Sequence, residues 1–467
     1  MNRSLILFIG ASAIGLSACA SAGGVDAPAA PLVYAGELRP DAGAAAQAQR
    51  GWLPGLGSLV LTELVEEALR ANPSLLAAKA RAEAAAARAD AFGSRRWPQL
   101  DLSLGGGRTE APTPMGASAV TEALSAGATA SWEADLWGRI AAASGASALD
   151  AAASAADAQN AALSVTGQTA QAFVDLIAAQ ERFALAEEDL VTRQRALAIT
   201  ERRYEQGVLS ALSLRTARSQ AASARAGQAS AADGLLASSR RLQLLLGRYP
   251  DGAMRAVEAL PALDPIQSAG TPEALLQRPD VLAAQARLAA AGFRVEEARA
   301  ALLPRLTLTA RANGEGGQAA DALDPEQMVR QLIAGLAAPL FQAGALRADI
   351  EADEAEQEAA AARYAETVLG AWAEVEAALS ADRVLAVQEA EFANAAAEAR
   401  EAQDLAEREY TRGVATIFEL IDAYSRRIDA ERALIGARNQ RLSNRISFYI
   451  ALGLEGLGAT PSEEAGQ

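Results

Sequence analysis

Two stretches of the chain alternate apolar and polar residues with the period of a β-strand. The apolar members are Leu100, Leu102 and Leu104 in the first stretch and Leu306, Leu308 and Ala310 in the second. A turn-rich segment and then a second short apolar segment follow each stretch, at about 120–132 and 329–340. The pattern predicts two β-hairpins, at about 98–132 and 304–340, with strands of about ten residues, the length that a tilted transmembrane strand needs.

Most of the remaining chain has the pattern of long helices. Helical segments at about 59–96 and 271–303 precede the hairpins, and a proline ends each of them. Each hairpin is followed by an uninterrupted helical segment, at 138–207 and 344–413, which would reach on the order of 100 Å at about 1.5 Å per residue. A further helix then runs back in each half. An antiparallel coiled coil that only holds other parts apart is the alternative interpretation.

The two halves of the chain are copies of one unit. Five landmarks recur at a constant separation of 206 positions. The matched pairs are Pro73 and Pro279, Pro98 and Pro304, Gly138 and Gly344, Tyr204 and Tyr410, and Gly207 and Gly413. We therefore divide the chain into a first repeat at 59–247, a Pro- and Gly-rich linker at 248–271, a second repeat at 272–453 and a C-terminal tail at 454–467.

The composition favours a helical, non-enzymatic protein. Histidine is absent from the 467 residues, cysteine occurs once, and the net charge is -16. A phosphate-binding surface needs clustered Lys and Arg, so no nucleic-acid partner is expected. Because the commonest catalytic bases, nucleophiles and metal ligands are missing, neither a metal site nor a cofactor is expected. Paired carboxylates that act as in a glycosidase are the enzymatic alternative.

The first residues have the pattern of an export signal. Arg3 precedes a short apolar stretch that ends in the motif LSAC at Cys19. This motif resembles the lipobox of bacterial lipoproteins, in which the chain is cut before the cysteine and the thiol is acylated. We predict a signal peptide at 1–18, lipidation of Cys19 and a lipid-anchored segment at 19–58, with Ala20 implying sorting to the outer membrane. An ordinary signal peptide with a chance cysteine is the alternative.

Four strands per chain are too few to close a barrel in a membrane. An open sheet edge in hydrocarbon leaves unpaired backbone groups, each costing several kcal/mol, and the smallest closed barrel needs about eight strands. The sequence therefore predicts an oligomer whose copies share one barrel, continued by a barrel of long helices. Trp97 and Trp132 stand at the same end of the first hairpin, which favours a membrane-interface aromatic girdle over buried packing.

Four segments resemble the TolC-like outer-membrane efflux factors, specifically their NodT or OprM-like lipoprotein branch. The segments are SWEADLWGRI at 131–140, LQLLLGRYP at 242–250, QRPDVLAAQARLAAA at 277–291 and AALLPRLTLTA at 300–310. The resemblance implies a mainly α-helical homotrimer in the cell outer membrane, with a shared twelve-stranded β-barrel that continues into a periplasmic tunnel of twelve helices with an equatorial belt.

The same resemblance implies a passive exit duct and its partners. A periplasmic adaptor protein would dock at the tip of the tunnel and connect it to an inner-membrane pump of the resistance-nodulation-division class. Two alternatives remain at this point. One is a periplasmic coiled-coil adaptor or scaffold lipoprotein, and the other is the outer duct of a type I protein secretion system.

The entrance motif of the family has a counterpart near the second glycine turn. A Tyr-x-x-Gly turn followed by two acidic residues three positions apart is similar to Tyr410, Gly413, Glu419 and Asp422. The resemblance implies a channel gate in which a trimer places six carboxylates around its axis, attracts cations and raises some carboxylate pKa values by like-charge repulsion. A solvated helix face that carries ordinary acids is the alternative.

This chain departs from the family at one position of the motif. The family often has an arginine five residues after the tyrosine, where this chain has Ala415. The contact between helices that such an arginine makes is therefore expected to be missing, or to be supplied by Arg412, Arg426 or Arg427.

Two turns are similar to the family's adaptor-contact region. They are Gly207-Val208-Leu209 in the first repeat and Gly413-Val414-Ala415 in the second. Their small residues would allow a helical hairpin of another protein to approach closely.

Overall fold

The computed structural model describes residues 52–457, except 57, 113–117, 262, 264–265, 267–271 and 455. Cys19 and the predicted signal peptide at 1–18 lie outside the described residues. The described part is mainly helical and carries one four-stranded sheet, which confirms the predicted fold class. None of its helices combines the length and the apolarity needed to cross a bilayer.

The helical segment predicted at 59–96 is not one helix. Helix α1 is Leu59–Ala71 and helix α2 is Pro73–Gly93. Asn72 breaks the helix with extended backbone angles, because the ring of the following proline disfavours the helical conformation there. The Asn72 side chain accepts hydrogen bonds from two backbone N–H groups of the first turn of α2 and so caps it.

The long helix of the first repeat forms as predicted. Helix α3 (Arg139–Glu205) has 67 residues, and helix α4 (Ala211–Leu245) runs back beside its C-terminal half. The N-terminal half of α3 has other neighbours, one of which is α2.

The second repeat has the same order of elements. The segment predicted at 271–303 is broken before a proline, as in the first repeat, into α5 (Pro272–Leu276) and α6 (Pro279–Ala300). A one-turn helix, α7 (Ala319–Ala322), lies within the stretch predicted as a turn. Helix α8 (Ala345–Arg412) has 68 residues, and α9 (Ile417–Ala451) runs back along it.

Helix α6 packs between the N-terminal halves of both long helices, which lie nearer the sheet. Arg287 and Arg294 of α6 pair with Asp157 and Asp150 of α3. On its other side, α6 contacts α8. The two repeats are therefore joined along their helices as well as through the linker.

The two hairpins form a single antiparallel sheet in chain order. Its strands are β1 (Gln99–Pro112), β2 (Ser118–Ala134), β3 (Arg305–Gly316) and β4 (Val329–Ala337). With 14, 17, 12 and 9 residues, three of the strands are longer than the predicted ten. Strand β4 ends at Ala337 instead of continuing to residue 340, and Pro339 has no N–H to donate to a ladder.

The largest buried cluster lies midway along the long helices. Trp52, upstream of α1, is buried there and stacks on Tyr449 of α9 with ring centroids 5.4 Å apart. Its indole Nε1 donates to the carbonyl oxygen of Leu454 at 3.1 Å. The two ends of the described chain therefore meet in the same core.

The described part of the linker packs against this cluster. Met254 and Leu260 contact it, and Gln180 of α3 makes two hydrogen bonds to the backbone of Ala256, at 2.9 and 2.6 Å. The linker thus forms a layer around the middle of the helices.

Candidate functional site

The sheet has one apolar face and one polar face. The register pairs Leu104 with Ala126, Trp132 with Leu308, and Leu306 with Leu336, so alternate residues of all four strands share a face. Members of the apolar face include Leu100, Leu102, Leu104, Leu308, Leu332 and Leu336. The opposite face includes Gln99, Asp101, Ser131, Thr307, Thr309 and Arg311. The leucines of β1 and β4 on this face are 68–79% exposed, and an exposed apolar face of this extent marks an interaction surface.

Charged residues limit the apolar band at the end of the sheet far from the helices. Arg108 of β1 lies opposite Glu122 of β2, and their side chains form an ion pair at 3.5 Å. Toward the helices, β1 and β2 carry no acidic or basic residue on the apolar face.

The two predicted interface tryptophans lie together at the end of the sheet near the helices. Trp97 is 73% exposed, whereas Trp132 is only 36% exposed and donates its Nε1–H to the carbonyl oxygen of Arg96 at 2.9 Å. Both line a cavity of about 320 Å³ between the sheet and the helices. Sequence reasoning missed a third aromatic residue, Trp137, whose Nε1 donates to the carbonyl oxygen of Pro304 at 2.8 Å and joins the two repeats.

The glycine turns lie at the opposite ends of the long helices. Gly207 and Gly413 have φ angles of 75° and 82°, a left-handed conformation that favours glycine. In each turn the residue after the glycine donates its N–H to the carbonyl oxygen five positions earlier in the helix, which is the hydrogen bond of a Schellman motif. Val208 and Val414 follow the glycines and are 68% and 75% exposed. Leu209 is half-buried.

The two turns differ in how the next helix begins. Ser210 caps α4 and Thr416 caps α9, so the cap is duplicated. Only the second repeat completes a capping box, in which Glu419 accepts from the backbone N–H of Thr416 at 2.6 Å. This hydrogen bond lowers the pKa of the Glu419 carboxyl, so the expected rise is not found within one chain.

The second acid of the candidate gate also has a partner. Asp422 lies one turn after Glu419 and accepts from Arg426 at 2.7 Å. Both carboxylates are exposed on the surface of the tip. Arg426 thus makes a local pair and does not connect two helices there.

Tyr410 does not accompany the acids on the surface. Its side chain is 2% exposed and lies between α3 and α9, with its hydroxyl 3.3 Å from that of Thr200. Tyr424 is buried in the same cluster, and its burial, together with Glu407, raises the pKa of its phenol. Tyr410 therefore packs within the tip of the single chain, and its place in the gate stays a prediction.

An arginine from the first repeat supplies a contact that sequence reasoning missed. The Arg203 guanidinium lies 4.7 Å from the centre of the Tyr410 ring. Its Nη2 donates to the carbonyl oxygens of Tyr410 and Thr411, each at 3.2 Å. These carbonyls lie in the last turn of α8, where such groups lack partners within the helix. Arg203 thus attaches the end of α8 to α3.

Arg427 connects three helices below the turn. It is buried and donates to Glu431 of α9 at 2.9 Å, to Glu188 of α3 at 2.6 Å and to Gln403 of α8 at 3.3 Å. Burial opposes the charge of Arg427, but the hydrogen bonds that it donates to Glu431 and Glu188 raise its pKa. Burial alone would raise the pKa of Glu431, and the bonds from Arg427 and Arg400 together lower it.

Of the three arginines considered from the sequence, Arg427 therefore makes the contact between helices. Arg412 forms no side-chain hydrogen bond or ion pair with the part of the chain that the structure describes.

Comparison with known proteins gives these features a family. The profile of the family described as "Outer membrane efflux protein" matches residues 64–248 and 271–454. The chain is 30% identical to the pyoverdine export outer membrane protein OpmQ of Pseudomonas aeruginosa, over 94% of this chain and 95% of that protein. It is also 30% identical to the outer membrane protein OprJ of the same species, over 94% of each.

Solved structures agree with this assignment. The outer-membrane channel OprN superposes with a TM-score of 0.78 at 26% identity, over 87% of this chain and 93% of that one. The CmeC outer membrane channel of Campylobacter jejuni has a TM-score of 0.81 at 22% identity over 88% and 89% of the two chains, which shows the shared fold. The chain belongs to the outer membrane efflux protein family, whose members are efflux channels of the outer membrane and not enzymes.

Proposed function

We propose that three copies of this chain form the exit duct of a tripartite efflux pump. The observation that carries the proposal is the four-stranded sheet, which has one apolar face and two unpaired edges and continues into helices of about 100 Å. A lone sheet of this kind cannot lie in hydrocarbon, because its edges leave backbone groups without partners. Three copies would give a closed barrel of twelve strands with the leucines facing lipid.

The polar face of the sheet would then line the pore. Asp101, Thr309 and Arg311 lie on this face, and water-filled barrels carry polar residues inside. Below the barrel, twelve long helices would continue the wall of the duct. The many alanines of α3 and α8 support close packing between neighbouring helices of this wall.

The tip of the helices is the proposed entrance. Glu419 and Asp422 of three copies would form a ring of six carboxylates near the axis. Within one chain the hydrogen bond from the Thr416 backbone lowers the pKa of Glu419, whereas like-charge repulsion in such a ring would act in the opposite direction. The contacts of Arg203 and Arg427 between α3, α8 and α9 would keep the entrance narrow at rest.

The exposed turns are the proposed contact for a periplasmic adaptor protein. Val208 and Val414 occupy equivalent positions and protrude beside glycines without side chains. In a trimer the duplicated turn would recur six times, which suits a ring of adaptor hairpins. The adaptor would connect the duct to an inner-membrane pump of the resistance-nodulation-division class.

The membrane contacts of the proposal are Cys19 as the lipid anchor, with Trp97 and Trp132 near the periplasmic interface. The exposure of Trp97 supports its role more than that of Trp132, whose indole nitrogen already has a partner. Two or more acyl chains on Cys19 would suffice for stable anchoring.

The test is the mass and the conductance of the purified full-length protein. We expect light scattering in detergent to give three chains per particle, and planar bilayers to show stepwise ion conductance. A monomer that adds no conductance to the bilayer would contradict the proposal.

A further inference from the structure

The internal duplication extends to the pairing of individual residues in the sheet. In the first hairpin Gln99 pairs with Ser131, and in the second hairpin Arg305 pairs with Ala337. Both partners of the second pair lie 206 positions after those of the first, the offset that relates the two repeats. The two hairpins are therefore equivalent in register as well as in sequence.

Within the chain, the second strand of the first hairpin pairs with the first strand of the second hairpin. This is the β2–β3 ladder, in which Ala130 pairs with Ala310 and Leu124 pairs with Gly316. The remaining edges of the sheet are β1 and β4, which belong to the first and second repeat respectively. A β4–β1 contact between two copies would be the same kind of junction.

We propose that the edge β4 of one copy pairs with the edge β1 of a second copy in the register of the internal β2–β3 ladder. Each β2 residue has its equivalent in β4, 206 positions later, and each β3 residue has its equivalent in β1, 206 positions earlier. These equivalents are the partners across the boundary between two copies, which we call the seam. Leu336 of one copy then lies opposite Leu104 of the next, and Arg330 lies opposite Glu110. The inference rests on the proposed trimer and defines how its copies join.

The apolar face is continuous across a seam with this register. Leu104 and Leu336 both lie on the apolar face, and both are mostly exposed in the single chain. A slip by one residue would place the apolar face of one copy beside the polar face of the next, because side chains alternate along a strand. Only slips by two residues remain as alternatives.

Charge distinguishes the proposed register from these slips. Arg330 and Glu110 are exposed and opposite in charge, and opposite charges across a ladder are favourable. A slip by two residues in one direction places Arg330 opposite Arg108, which is unfavourable and already pairs with Glu122 within its own chain. A slip in the other direction places Arg330 opposite Pro112, which offers neither a charge nor an N–H.

Paired cysteines in the full-length protein test the register. Leu104→Cys is combined in turn with Leu336→Cys, with Ala334→Cys and with Ala338→Cys, which represent the proposed register and the two slips. After mild oxidation and denaturation, we expect the Leu336→Cys combination to migrate as covalent dimers and trimers. The two slipped combinations place the thiols on diagonal positions, roughly 7–8 Å apart in a ladder, where a disulfide does not form without backbone movement.

Two further variants guard against unfavourable local geometry. Adjacent pairs in an antiparallel ladder alternate between a wide and a narrow type, so Ala337→Cys with Ser103→Cys provides the other type. The combination Ala130→Cys with Ala310→Cys is the matched internal control, and we expect a disulfide within one chain. The parent chain, with Cys19 as its only cysteine, gives the background.

An exchange of charges provides an independent measurement. We expect Arg330→Glu and Glu110→Arg each to lower the temperature at which the trimer dissociates in detergent, by about 3 °C or more, since the change affects three seams. The double variant should return to the parent value.

The outcomes separate the register from the trimer. The register is overturned if a slipped combination crosslinks faster than the in-register pairs. It is also overturned if light scattering shows a trimer but neither of the two in-register pairs crosslinks. Both outcomes leave the channel proposal intact. If light scattering shows no trimer for the parent protein, both proposals fail. If the double charge variant is less stable than either single variant, the Arg330–Glu110 contact is excluded.

Discussion

The contact of Arg203 with the end of α8 leads to a prediction about channel opening. Arg203→Ala removes two hydrogen bonds to the carbonyl oxygens of Tyr410 and Thr411, together with the contact between the guanidinium and the Tyr410 ring. The helices themselves keep their caps, because backbone N–H groups make the Schellman turn, and the Tyr410 carbonyl oxygen keeps its bond from the Gly413 N–H when Arg203 is removed. The variant should therefore fold normally and release the tip of the second repeat.

The size of the effect follows from these contacts. Hydrogen bonds from a charged donor contribute about 1.5–3 kcal/mol when buried, and we take about 1 kcal/mol for each here because Arg203 is half-buried. The contact with the aromatic ring adds about 0.5–1 kcal/mol. These contacts total about 2.5–3 kcal/mol. If they form only in the narrow arrangement, their loss changes the equilibrium between narrow and wide entrances by roughly 70- to 160-fold.

Single-channel recording in planar bilayers measures this change. We expect Arg203→Ala to open more often or to larger conductance than the parent. Arg202→Ala is the matched control, since it removes the same charge from a neighbouring exposed residue that bonds only to Ala198 of its own helix. If the two variants conduct alike and stay within about twofold of the parent, then Arg203 does not hold the entrance.

Three further predictions concern the tip and the anchor. Glu419→Gln combined with Asp422→Asn should lower the ratio of cation to anion permeability while preserving the capping box, and an unchanged reversal potential in a salt gradient would remove these acids from the permeation path. Arg427→Met should cost about 3 kcal/mol in urea unfolding, because it leaves Glu431 buried without its main partner, and adding Glu431→Leu should recover most of this loss. Equal destabilisation of both variants would argue against the ion pair. The lowered pKa of Glu431 means that its contribution is present above its ordinary pKa of 4.5 and is lost as pH falls through the lower folded value. Cys19→Ala should abolish the incorporation of labelled palmitate while the far-ultraviolet circular dichroism stays unchanged, and continued labelling would place the lipid elsewhere.

The sequence predicted the elements that depend on periodicity and on the duplication. Both hairpins and both long helices lie where the constant offset placed them, because an alternating or helical pattern over many residues is a strong local signal. Breaks within helices were harder to predict. Asn72 and Arg278 each interrupt a helix because a proline follows, and the apolar pattern continues across both.

Only some contacts of the candidate entrance could be predicted from the sequence. The capping box of Glu419 is visible in the sequence as Thr416 followed three positions later by a glutamate, so its low pKa could have been predicted. The partner of Tyr410 could not, because Arg203 lies 207 positions away along the chain and no periodic pattern connects the two. The ion pair of the buried Arg427 with the exposed Glu188 likewise depends on how two distant helices pack.

The change of neighbours along α3 and α8 has a mechanical consequence. Between the sheet and the buried cluster at mid-length, both helices pack against α6, and between that cluster and the tip α3 packs against α4 and α8 against α9. We therefore expect a rotation of the helices near the tip to pivot at this cluster, where Trp52 and the linker pack, while the contacts of α6 stay in place. In the proposed trimer, we expect a displacement of the tip to be taken up by the helices near it, so that the four-stranded sheet keeps its position.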